Sequence, residues 1–399
     1  MKQPIYTQQR MKTTIQSFLF GTLLLLFSCH QTNNDKQSII PIHVDFSNRV
    51  DIDMAQRSDS LVILEANTES LLQSINSIET INDKFYIFSK DKLSVFTESG
   101  KFLFNVGKKG AGVGEFSGIN SVGVQADTLY LYDFSQKSVL KYSLEGGYLG
   151  IKRYESSDPA LSMVYPFRES LFCGLNSYAG NDTTKKFTLL AEDLTPIRQF
   201  GNYLLNSWHY LVPFSSFNNE ILYTELFNDT IYSIIGGAIT PKYHIDYGPS
   251  QLLIDDYDPT KTVQYILNTD SDPYFIQKAC LTQYFQENDL YSCFAFKKEK
   301  QTHIAVTNKK QNTTTVYRLF SSEEHISPLM FVKLWGDRFL LAGVMESPTD
   351  GQDYHVLLTI HIRWEEDCLI QDRLPLPISY WGYCPSIIPT RLLWQILRV

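Results

Sequence analysis

The sequence predicts an all-β chain folded as a six-bladed β-propeller with four-stranded antiparallel blades. Three observations carry this: a repeated unit, an abundance of aromatic residues, and turn-forming residues at short intervals. Val95-Phe-Thr-Glu-Ser-Gly-Lys-Phe-Leu103 aligns with Lys141-Tyr-Ser-Leu-Glu-Gly-Gly-Tyr-Leu149 at an offset of 46. Upstream, Asp83-Lys-Phe-Tyr-Ile-Phe88 aligns with Asp127-Thr-Leu-Tyr-Leu-Tyr132 at an offset of 44. A unit of several short strands with a period in the forties cannot bury its two faces alone, and this is the pattern of a propeller blade. The 24 Tyr and 25 Phe suit half-buried sheet surfaces.

The elements follow in order. Residues 1–29 form a targeting segment: Lys2, Arg10 and Lys12 precede the apolar run Phe18 to Phe27, which is too short for a resident helix of about 20 apolar residues. The run ends in Leu26-Phe-Ser-Cys29, similar to a bacterial lipobox, so Cys29 is the expected lipidation site; an ordinary cleaved signal or a signal anchor is the alternative. Residues 30–38 are polar and read as a flexible tether. The propeller is expected over 39–363. Its first strand, Ile39 to Phe46, should complete the last blade and so remove an exposed edge.

Blade one is read over Leu71 to Phe104, blade two over Ile119 to Leu149, blade three over Met163 to Phe200 and blade four over Trp208 to Ile245. The polar stretch Gly248 to Phe275 reads as an insertion with a short helix near Thr262 to Leu267. Blade five is expected over Ile276 to Phe320 and blade six over Ile326 to Ile362. Residues 364–399 are apolar, proline-broken and without blade spacing, an atypical C-terminal tail.

Gly110-Ala-Gly-Val-Gly-Glu-Phe116, with the Asp-Thr-Leu-Tyr-Leu-Tyr-Asp and Lys-Tyr-Ser-Leu-Glu-Gly strands that follow, resembles the NHL-type repeat of the 6-bladed β-propeller lipoproteins of Gram-negative bacteria. Phe227-Asn-Asp-Thr-Ile-Tyr-Ser233, followed by Pro241-Lys-Tyr-His-Ile-Asp-Tyr-Gly248, is similar to that family's mid-chain motif. Val113 departs from it, standing where the family usually carries proline. The resemblance implies a lipid-anchored propeller of the cell envelope, facing the periplasm or the cell surface. NHL-like propellers also include lyases and metal-dependent lactonases whose residues converge on the central channel, and such an enzyme is the alternative function.

The net charge of −8 and the absence of a basic cluster argue against a nucleic-acid partner. The glycine-rich segment lacks GxxxxGK[ST] and leads into a strand, so it reads as an inter-blade turn and not a phosphate loop. No Gly-x-Ser-x-Gly elbow is present. His355 and His361 share a strand face but lie about 20 Å apart, too far to chelate. The aspartates between Asp255 and Asp272 lack the glycine and glutamate of a calcium loop. No cofactor is therefore expected, although calcium or zinc would accompany the enzyme alternative.

Candidate ligand-binding residues are Asp133, at a strand end where it either caps a turn or meets a ligand, and Trp208 and His209, an aromatic cluster suited to stacking on sugar or peptide or to the core. Cys280 and Cys293 flank a predicted turn at Gln286 to Asp289 and are either a disulfide or two buried thiols. With no catalytic signature, the favoured function is a non-enzymatic, monomeric propeller that offers its funnel and loops to a protein, peptide or glycan.

Overall fold

A computed structural model describes residues 39–47, 49–54, 60–73, 75–89, 92–155, 160–167, 171–176, 185–202, 213–225, 228–252, 271–322, 326–346 and 353–362. Apolar runs between tight turns produce hairpin after hairpin, with middle strands such as Lys84–Ser89 and Leu171–Asn176 buried on both faces, and these hairpins assemble into six sheets whose blade strands are antiparallel. Blade one comprises Ser77–Ile81, Lys84–Ser89, Lys92–Thr97 and Phe102–Val106. Blade two comprises Ser121–Gln125, Thr128–Asp133, Ser138–Ser143 and Tyr148–Arg153. Blades three, four and five open with Leu161–Pro166, Phe214–Phe217 and Cys280–Glu287 and close with Pro196–Asn202, Ala238–Asp246 and Thr313–Phe320. Blade six holds Ile326–Trp335, Arg338–Glu346 and Asp353–His361. The chain is thus an all-β, six-bladed propeller, as its repeat predicts.

The ring closes differently from the expectation. Ile40–His43 does not complete the last blade: it pairs in parallel with Ala238–Asp246 and adds a fifth strand to blade four. Val50–Asp53 does the same for blade five, lying parallel to Thr313–Phe320. Only the third segment, Ser60–Ile63, pairs antiparallel with Asp353–His361 and supplies the missing outer strand of blade six. The N-terminal chain therefore passes along the rims of three successive blades before closure. The physical reason is periodicity: each segment can cover an edge, and only the third lies within reach of a three-stranded blade.

The core lies between the blades. Tyr86, Phe88 and Val95 of blade one pack on Leu129, Leu131 and Leu140 of blade two. Phe187 of blade three sits 4.9 Å from Tyr223 of blade four in an edge-to-face contact. Leu222, Ile231 and Ile245 of blade four meet Phe285, Phe294 and Phe296 of blade five, joined by Ile42 and Val44 of the added rim strand. Leu340 and Leu357 of blade six pack on Ile78 and Phe85 of blade one. Each such side chain contributes about 1.5–3 kcal/mol on burial, so the inter-blade layers carry most of the stabilisation.

The matched glycines of the repeat adopt matched conformations. Gly100 and Gly146, in the last hairpins of blades one and two, have φ of +83° and +82°. A Cβ at Gly100 would lie 2.2 Å from the Ile63 carbonyl oxygen, so the closure strand approaches where only glycine leaves room.

The topology gives the ring two distinct faces. Turns joining first to second and third to fourth strands gather on one, the hairpin face; turns joining second to third strands and the connections between blades gather on the other, the crossover face.

Candidate functional site

The innermost strands of all six blades line the axis, which encloses a cavity of about 120 Å³ bordered by Ser77, Glu79, Tyr165, Ser215, Gln286 and Lys333. Its polar groups are engaged. Lys333 Nζ meets Glu79 Oε2 at 2.7 Å across blades six and one, Ser215 Oγ donates to the Phe285 carbonyl at 2.5 Å, and the Leu334 amide donates to Gln286 Oε1 at 2.9 Å. Ligand sites for small molecules usually occupy about 300–1,000 Å³, so the axis is a polar plug with room for a few waters.

A larger cavity, about 300 Å³, opens on the hairpin face between blades two, three and four. Gln125, Phe167, Ser216, Phe217, Asn218 and Asn219 contribute to its lining. Asn218 and Asn219 form the two-residue turn between Phe214–Phe217 and Glu220–Tyr223, with φ of 48° and 62°. Both residues of such a turn must be left-handed, and asparagine tolerates this, so two amide side chains are held together at the rim. Lys309 Nζ lies 4.5 Å from the centre of the Phe217 ring.

Behind this cavity stands a charged cluster on blades four and five. The wholly buried Glu287 carboxylate contacts Lys242, meets Lys309 Nζ at 3.0 Å and accepts from the Tyr243 hydroxyl at 2.6 Å. Lys242 also contacts Glu220, which accepts from Ser233 Oγ at 3.1 Å. Burial works to raise the Glu287 pKa, but the contacts with Lys242, Tyr243 and Lys309 outweigh it and hold the carboxylate below its ordinary range. For Tyr243, burial and then the hydrogen bond to Glu287 push the hydroxyl up.

The crossover face of blade four carries different groups. Asp229 is buried and accepts from the Gln251 amide; burial pushes its carboxyl up to about 7, against that hydrogen bond. Lys186 and Glu225 form an ion pair with side chains 2% and 1% exposed. Asn228 Nδ2 donates to Glu225 at 3.0 Å, and burial pushes the Lys186 ammonium down to about 7.

The residues singled out by sequence are distributed as follows. Asp133 is fully buried and caps its turn: its carboxylate accepts from the amides of Ser117 at 2.5 Å, Gly118 at 3.3 Å and Gln136 at 3.0 Å. Those three donors engage both oxygens. Trp208, His209 and Cys29 lie outside the described residues, as do the predicted helix near Thr262 and the tail from Arg363. Asn228, Asp229 and Asp246 of the mid-chain motif brace blade four through hydrogen bonds to Glu225, Gln251 and the Gly248 amide.

Of the two alternatives open for Cys280 and Cys293, the disulfide is not formed. Cys280 stands opposite Lys297 and Cys293 opposite Gln286, because the turn is centred beyond Glu287, and Cys293 is a buried free thiol. The glycine-rich connection is an inter-blade turn closed on itself: Lys108–Lys109 pairs with Glu115–Phe116, and Glu115 accepts from the Gly112 amide at 2.8 Å and meets Lys108 at 2.8 Å. Of its glycines Gly107 and Gly114 are left-handed, whereas Gly110 and Gly112 are not.

Sequence reasoning missed Phe217, Asn218, Asn219 and Glu220. The signal available was the Asn-Asn pair between two alternating apolar runs, a hairpin signature. Among the described residues no three His, Cys, Asp or Glu side chains gather to hold a metal, and no helix is long and apolar enough to cross a membrane.

Two solved structures share the fold. A Bacteroides fragilis protein provisionally classed as exported aligns with a TM-score of 0.61 at 16% identity, covering 82% of this chain and 100% of its own. A member of the DUF4221 family from Bacteroides vulgatus aligns with a TM-score of 0.52 at 7% identity, covering 76% and 97%. At these identities the likeness concerns the fold alone. No curated protein matches. The family model described as a domain of unknown function, DUF4934, matches residues 37–346, and the chain belongs to that family.

Proposed function

We propose that this chain is a non-enzymatic binding propeller of the bacterial cell envelope, anchored through Cys29 and presenting its hairpin face to a protein, peptide or glycan. The observation that carries this reading is the contrast between the two cavities: the axis is small and its charges are paired, while the 300 Å³ cavity beside it opens to the surface. The channel carboxylates Glu79 and Glu287 are both held by lysines, an arrangement that favours a structural role over general acid or base work. The structural neighbour classed as exported and the lipobox-like Leu26-Phe-Ser-Cys29 support an extracytoplasmic address and a lipoprotein kinship of the NHL-like kind.

Two measurements test it. In detergent phase partition the parent should enter the detergent phase and Cys29→Ser should not; unchanged partition removes the anchor from the reading. Metal analysis of dialysed protein should find no stoichiometric calcium or zinc, and finding either would favour the propeller-enzyme alternative.

A further inference from the structure

Blade three meets blade four through polar side chains that solvent does not reach. The strand Lys185–Ala191 begins with an exposed lysine, Lys185, which bonds Asn202, and continues into a buried run from Lys186 to Leu190. Lys186 therefore carries its amine into the core, with Nζ 4.9 Å from the centre of the buried Tyr223 ring. Glu225 and Asn228, both buried, come from the connection between Glu220–Tyr223 and Thr230–Ile235 of blade four.

One carboxyl joins these groups. Glu225 Oε1 contacts Lys186 Nζ and accepts from the Tyr223 hydroxyl at 3.3 Å, while Oε2 accepts from Asn228 Nδ2 at 3.0 Å. The other polar atom of the Asn228 amide is held as well: Oδ1 accepts from the Thr230 backbone amide at 3.0 Å.

The three side chains have complementary chemistry. An amine is a nucleophile only without its extra proton, and burial favours the neutral form of Lys186. Passing that proton to Glu225 removes two buried charges at once. A primary amide is a weak electrophile, but the Thr230 N–H points at the oxygen on which negative charge gathers when its carbon is attacked. Holding amine and amide on the same carboxyl makes their encounter intramolecular.

We propose that Lys186 and Asn228 condense into an intramolecular isopeptide bond, with Glu225 carrying the protons. The Nζ lone pair attacks Asn228 Cγ, and the carbonyl electrons move onto Oδ1 against the Thr230 amide. Glu225 takes a proton from Nζ through Oε1 and gives one to Nδ2 through Oε2. As the electrons return, the Cγ–Nδ2 bond breaks, one ammonia leaves and the Nζ–Cγ amide remains; neither partner is oxidised or reduced. The product ties the third strand of blade three to blade four beside the Phe187–Tyr223 contact, and it gives Asn228 of the mid-chain motif a chemical role.

The experiment is mass spectrometry of the Cys29→Ser protein, denatured in guanidinium with reductant, both intact and after trypsin. The intact mass should be lower than its sequence requires by one ammonia, and trypsin should leave Lys186 uncut in a branched peptide joined to Asn228. Lys186→Arg, which keeps a cation without the amine, Asn228→Ala and Glu225→Gln should each show the full mass of their sequences. A parent of full mass overturns the proposal. Loss of ammonia with Lys186 still cut marks a succinimide at Asn228 and also overturns it. Loss of water with Lys186 joined to Glu225 overturns Asn228 as the acceptor, and an undiminished bond in Glu225→Gln overturns the proton-carrying role. The parent spectra alone decide whether the bond exists, so a variant that fails to fold does not shelter the proposal.

Discussion

Asp229 and Glu287 are both carboxylates buried beside blade four, on opposite faces of the ring, and their acidities move in opposite directions. Asp229 has one amide partner, Gln251, and burial wins; Glu287 has two lysines and a tyrosine hydroxyl, and the partners win. Burial alone therefore does not set the sign. The number and charge of the donors does, and in a propeller that number is fixed by which neighbouring blade faces the group.

The sharpest way to break this contrast is to remove a donor from Glu287. Lys242→Met leaves the buried Glu287 carboxylate with Lys309 and Tyr243 only and releases Glu220, and it should cost about 3–5 kcal/mol in urea unfolding at pH 7. An effect under about 1 kcal/mol would show that water replaces the lysine without penalty.

The Asp229 side is tested by pH. Its folded pKa of about 7 lies above the ordinary 3.8, so between those values the folded chain holds a proton that the unfolded chain has released. Stability from this group is present below about pH 4 and is lost as pH rises toward 7. Asp229→Asn should flatten that slope and raise stability at pH 8 by about 1–3 kcal/mol. Glu287 gives the opposite slope, since its folded pKa is lowered: its contribution is present above 4.5 and is lost as pH falls further. A parental profile in Asp229→Asn would assign the neutral-range slope to another group.

The smallest effect is expected from Lys309→Met. Lys309 is partly exposed, and Glu287 keeps Lys242 and Tyr243, so the loss should be about 1 kcal/mol by thermal melting. A loss as large as that of Lys242→Met would mean the two lysines act as one unit.

The fold was legible where the information is local. Val95 to Leu103 and Lys141 to Leu149 are hairpins whose glycines share one left-handed conformation, so a short stretch records its own turn. Closure was not legible, because nothing in Ile40–His43 names its partner and Ser60–Ile63, the strand that completes blade six, carries no repeat signal that singled it out. The thiols differ for a related reason: pairing Cys280 with Cys293 needs the hairpin centred between Gln286 and Glu287, three residues before its observed centre between Asp289 and Leu290. Asp133 was read correctly as a strand-end residue, but its donors at Ser117 and Gly118 come from the connection preceding its own blade. The hairpin-face cavity was beyond reach, since it is assembled from Gln125, Phe167 and Asn218 on three blades.

The path of the N-terminal chain along three rims has a consequence for the order of assembly. Ile40, Val50 and Leu61 leave the ribosome first, yet their partners are Tyr243, Tyr317 and Leu358. Each early strand must wait for roughly 200–300 further residues, which makes these contacts slow to form and costly in loop entropy. Blades one to three can pair within themselves as they emerge, whereas the last blade stays one strand short until Ser60–Ile63 arrives. The beginning of the chain is thus the last part to be used, and nascent protein carries an unsatisfied rim strand for most of its synthesis, the interval in which it is most exposed to wrong partners.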